Sequence, residues 1–120
     1  MSNISDYLQN TKLDRFIYKN DTFDILRVSG VLYSVDTLTH NVYANNTNLT
    51  DLEEGFFFSI FDIKENFQAN NCILSWMQPT PIVLNTNKSF TTFIYSKATN
   101  SWTIREQYDV VSNFLSSTNW

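Results

Sequence analysis

Apolar and polar positions alternate with a period of two over most of this chain, in short runs separated by polar breaks. Successive strand side chains point to opposite faces, so this period predicts β-structure. Residues 13–18 and 23–28, parted by Lys19-Asn20-Asp21-Thr22, read as a hairpin. Beyond Ser29-Gly30, Val31, Tyr33 and Val35 share one face of a strand, residues 36–39 turn the chain, and residues 40–44 return it. Residues 45–51 are the clearest loop. Thr50 and Glu53 have capping-box spacing, which Gly55 limits to a single turn. Residues 56–63 form a strand that is apolar on both faces, with Phe56, Phe58 and Ile60 on one and Phe57, Phe61 and Ile63 on the other. A strand at 72–77 follows. Pro79 and Pro81 then allow ladder pairing only at an edge, and 82–84 resume the strand. Residues 90–96, a turn at 97–100 and residues 101–104 make a second hairpin.

The ends change period. Ser2 or Ser5 can cap a helix, Ile4, Tyr7 and Leu8 fall at helical spacing on one face, and Val111, Phe114 and Leu115 repeat that spacing. A short helix is therefore expected at each terminus, the second starting between residues 104 and 110. Together the elements predict a mainly β fold: an antiparallel sandwich or small barrel of seven or eight strands with terminal helices. The alternative is an α+β fold with an antiparallel sheet and its helices on one face. No linker or charge block divides the 120 residues, so 1–120 is read as one domain.

Composition narrows the class. Asn, Ser and Thr make up a third of the chain and 19 residues are aromatic, while Gly and Pro supply two each, which excludes collagen-like and low-complexity disordered chains. The net charge of −4 argues against a duplex-binding surface. The first dozen residues lack the basic start and apolar run of a secretory signal, so a cytoplasmic or in-particle location is expected, not secretion. The five Asn-x-Ser/Thr sequons then follow from the Asn, Ser and Thr excess. Residues of A/T-rich codons (Phe, Tyr, Met, Ile, Asn, Lys) far outnumber Gly, Ala, Arg and Pro, a bias that suits a virus or phage among other sources.

The ingredients of catalysis are sparse. Cys72 lies in an apolar run and His40, the one histidine, beside a turn, so nothing in the sequence brings them together as a nucleophile–base dyad. One His, one Cys and scattered acids do not make a zinc site, and two isolated glycines do not make a phosphate cradle, so no metal or cofactor is expected. Asp51, Glu53 and Glu54 lack the alternating ligands of a calcium loop. Alternating Phe16/Tyr18 and Phe93/Tyr95 near several lysines could stack single-stranded nucleic acid, but Asp14, Asp21 and Asp24 lie among them.

Aromatic surplus carries more weight. A strand apolar on both faces needs cover on both, and two short helices supply little. The expected function is non-catalytic interaction or assembly, in a viral or phage component or accessory protein, through a protein partner or self-association. The candidate contact residues are Phe56, Phe57, Phe58, Phe61, Trp76 and Met77. The alternatives are a small barrel taking an apolar small molecule through its aromatic lining, and a small enzyme of unknown reaction.

Overall fold

A computed structural model of the chain describes residues 15–108. Nine strands are present: β1 (Phe16–Lys19), β2 (Phe23–Asp24), β3 (Val31–Val35), β4 (Val42–Asn45), β5 (Phe57–Asp62), β6 (Cys72–Leu74), β7 (Ile82–Leu84), β8 (Ser89–Ser96) and β9 (Ser101–Tyr108). They form two mixed sheets, one of five strands in the order β1-β3-β5-β8-β9 and one of four in the order β2-β4-β6-β7. The fold is mainly β, as expected, and it is not a closed barrel.

The topology differs from the antiparallel expectation. β1 pairs with β3 and β3 with β5 in parallel, and β2 with β4 and β4 with β6 likewise. Parallel neighbours need a long crossover. Here each crossover is a strand of the opposite sheet, so the chain passes between the sheets five times before turning back. Only then do antiparallel pairs appear: β6 with β7, β5 with β8, and β8 with β9.

The first expected hairpin is therefore corrected. Residues 16–19 and 23–24 lie in different sheets, and the Asn20-Asp21 break is a corner between them, closed by Asp21 Oδ1 accepting from the Thr22 amide. The second hairpin forms as expected, with Asn100 at φ +50°, a left-handed turn position that Asn tolerates better than most residues. β9 continues to Tyr108, so no C-terminal helix starts at 104–108; the rest of that segment and the N-terminal helix lie outside the described residues. β6 ends at Leu74, three residues before the expected end; Pro79 and Pro81 fall in the connection that follows, outside any strand, and β7 is an edge strand.

One core lies between the sheets. Val31, Tyr33 and Val35 of β3 point into it as their alternation implies, with Phe58 and Ile60 of β5 and Phe93 of β8. From the smaller sheet come Phe23, Val42, Ala44, Cys72, Leu74 and Leu84. Phe23 stacks on Tyr33 across the gap at 5.0 Å, and the Tyr33 hydroxyl accepts from the Leu26 amide, so the ring's polar end is not left unpaired. Asp62, fully buried at the end of β5, accepts from the backbone amides of Asn66, Phe67 and Lys88. That one carboxylate ties the β5–β6 connection to the turn before β8.

Candidate functional site

The β8–β9 hairpin carries aromatic residues past the core toward its tip. Tyr95 and Trp102 are register partners on the same face as Phe93 and Ile104. Trp102 meets Phe56 and Phe58 edge-on at 6.4 and 5.6 Å, and Tyr95 at 5.2 Å. Trp76, in the connection after β6, meets Trp102 at 5.7 Å with the ring planes 70° apart. Its indole N–H donates to the Ala44 carbonyl at 2.7 Å, which fixes the ring against β4.

These three half-buried rings floor a cleft of about 350 Å³. Its rim comes from three connections: Asn46, Leu49, Asp51 and Leu52 after β4, Gln78 after β6, and Lys97 and Asn100 at the hairpin tip. The connections are braced. Arg27 donates from Nε to the Thr50 carbonyl and from its terminal nitrogen to the Asp51 carbonyl, each at 2.7 Å. Glu54 accepts from the Lys97 and Ala98 amides, and the Tyr95 hydroxyl donates to Asn100 Oδ1 at 2.8 Å. Among the described residues, no partner is found for the Trp102 indole N–H, the Asp51 carboxylate or the side-chain amides of Asn46 and Gln78. Floor and walls are thus held by other contacts, while these polar groups, on residues that are exposed at Asn46, Asp51 and Gln78, are left to solvent or a ligand. A second hollow of about 310 Å³, lined by Arg27, Glu53, Glu54 and Phe56 among others, shares Leu52 with it.

The residues singled out from sequence separate by burial. Phe56, Phe58 and Met77 are buried in the core and offer a partner little or no surface. Phe57 is 42% exposed on the outer face of the five-stranded sheet, where Phe61 is half-buried. Trp76 lines the cleft. Sequence reasoning missed Trp102 as a site residue and weighed Tyr95 only as a stacking residue for single-stranded nucleic acid. The available signal was an aromatic pair placed directly across a four-residue turn.

Catalytic candidates fare differently. Cys72 is fully buried, and burial, reinforced by the Asp62 charge, pushes its thiol up to about 12. A thiol so protonated is no nucleophile. His40 is exposed, with Nδ1 2.8 Å from the Asn41 carbonyl and Nε2 3.8 Å from Asp21, so it does not form the dyad with Cys72. Among the described residues no group of three or more His, Cys, Asp and Glu could hold a metal ion, and no helix is long and apolar enough to cross a membrane.

The sequence matches no family model and no curated protein.

Proposed function

We propose that this chain is a non-catalytic recognition protein that acts by contact, with the Trp76–Tyr95–Trp102 cleft as its binding site. The observation that carries this reading is a concave aromatic floor bordered by side-chain donors and acceptors with no partner among the described residues, the combination a ligand cleft needs. The binding site is an open cleft where loops meet, not the interior of a barrel. The two sheets act as the halves of a sandwich that holds those loops in place, a reading supported by Phe23 of one sheet stacking on Tyr33 of the other.

Titration with a library of small aromatic and polar fragments tests it, read by the indole N–H resonances of Trp76 and Trp102. Saturable shifts at both, with little change elsewhere, are expected. Fragments that bind only at other surfaces overturn it.

A second reading, assembly with another copy of the chain, is favoured by the outer face of the five-stranded sheet. Phe16, Tyr18 and Phe57 are each at least 38% exposed there. Two copies stacked about a twofold axis would cover this face on both. The bias toward A/T-rich codons supports a virus or phage particle, assembled in cytosol, as the setting. Mass measurement of Phe57→Asp against the parent tests this reading: a parent oligomer reduced to a folded monomer supports it, and a monomeric parent overturns it.

A further inference from the structure

We infer that the cleft takes the ring of a neutral saccharide, stacked on the Trp76 and Trp102 indoles and held at its hydroxyls by the rim. The inference rests on the cleft being a binding site and adds the chemical class of the ligand.

The floor sets the first condition. Trp76 and Trp102 stand 70° apart, so together they form a corner and not a flat shelf. A pyranose ring has an apolar face of axial C–H groups and an equatorial girdle of hydroxyls. Its C–H groups carry partial positive charge and are attracted to the electron-rich face of an indole. A ring laid on one indole has its edge against the other. At about 350 Å³ the cleft is near the small end of the usual ~300–1,000 Å³ range, a fit for a mono- or disaccharide.

The rim sets the second condition, and it discriminates. Asn46 and Gln78 each offer an amide that both donates and accepts, Asp51 offers acceptors only, and the Trp102 indole offers a donor. A sugar hydroxyl does both, so a ring of hydroxyls can satisfy every one of these groups at once. An extended proline-rich peptide presents carbonyl acceptors and few N–H groups, so it offers the Asp51 carboxylate little. A purely apolar ligand would gain nothing from any of the four groups. Hydroxyl-to-carboxylate bonds are also charge-assisted, roughly twice as strong as neutral ones. Neutral sugar is favoured over anionic sugar because Asp51 faces the same space as Lys97 and offsets its charge.

The test uses the full chain with ¹⁵N-labelled tryptophan, titrated in turn with neutral gluco-, manno-, galacto- and N-acetylglucosamine oligosaccharides, a polyproline peptide and anilinonaphthalene sulfonate. Asp51→Asn is the matched variant. It removes the charge at a residue with φ +51°, a conformation Asn tolerates as Asp does, so the fold is preserved. The expected result is a saturable shift of the Trp76 and Trp102 indole resonances by at least one saccharide, weakened about tenfold or more in Asp51→Asn. If no saccharide moves these resonances, or the variant binds as the parent does, the inference is overturned. Shifts of the same two indoles by the peptide or the dye alone overturn the saccharide class and leave the cleft as a binding site. Probes that bind, but only outside the cleft, overturn both.

Discussion

Phe58 and Phe93 face each other across the antiparallel β5–β8 pair and stack at 4.8 Å with their planes 17° apart. Phe58 also meets Tyr33 and Trp102 edge-on, so one ring joins the centre of the core to the floor of the cleft. Its neighbour Phe57 points the other way. Phe58→Ala is expected to cost about 3–5 kcal/mol and Phe57→Ala less than about 1 kcal/mol, a contrast that denaturant unfolding of the two variants checks. Equal losses would mean that the outer face is packed as tightly as the inner one.

Asp62 accepts three backbone amides while fully buried. Asp62→Ala strands those donors, and an unsatisfied buried donor costs ~1–3 kcal/mol. A loss of roughly 3 kcal/mol or more is therefore expected in denaturant unfolding, with the largest gain in amide exchange at Asn66, Phe67 and Lys88. Exchange that rises evenly along the chain would show that the carboxylate does not anchor these two segments.

Cys72 is sealed between β4 and β7, and its thiol is held protonated well past neutrality. The native chain at pH 8 should resist alkylation by iodoacetamide for as long as it stays folded, and should react in denaturant at the rate of a free cysteine. Fast labelling of folded protein would place the thiol at the surface.

Stability should fall at both ends of the pH range. Tyr18 donates to Asp36, and this bond holds the Asp36 carboxyl below its ordinary value and raises the Tyr18 hydroxyl. Burial raises Tyr33. The depressed Asp36 stabilises above its unfolded value, near 4, and that contribution is lost as pH falls through the lower folded value. The raised tyrosines stabilise below about 10 and lose that contribution as pH rises through their folded values. Tyr18→Phe should bring the Asp36 titration, followed by carboxyl chemical shifts, back up toward an ordinary aspartate. An unmoved Asp36 would show that the Tyr18 bond does not form in solution.

Trp102 packs on the core with one edge and on the cleft with the other, so Trp102→Ala is expected to lose ~3–5 kcal/mol along with binding. Gln78→Ala, at an exposed rim position, should leave the melting temperature within ~1 °C while weakening ligand. A rim variant that loses stability and keeps binding would reverse these assignments.

How much of this was legible in the sequence depends on whether the deciding contact was local. The β8–β9 hairpin was, because its strands and four-residue turn are contiguous and Asn100 suits the left-handed position. The inward face of β3 was, because alternation within five residues sets it. The corner at Asn20-Asp21 was not, since the same turn chemistry serves a hairpin and a passage between sheets. Strand β5 held half a clue: apolar residues on both faces mark a strand with parallel neighbours and cover on each side, but β5 is parallel only to β3 and leaves Phe57 exposed. Its partner β3 lies 27 residues earlier, beyond the reach of any local pattern. The cleft shows the same limit, with Trp76 visible as an anchor and Tyr95 and Trp102 indistinguishable from core residues until the three connections are brought together.

The repeated passage between sheets has a consequence for how the chain would come apart. Cut anywhere between Asn46 and Phe56, it yields a piece holding β1 to β4 and a piece holding β5 to β9, each with strands in both layers. Neither piece can leave without unzipping two seams at once, β3 from β5 and β4 from β6. A protease nick there should produce two bands on a denaturing gel and a single undiminished particle in solution, the fragments laced together like the two sides of a boot.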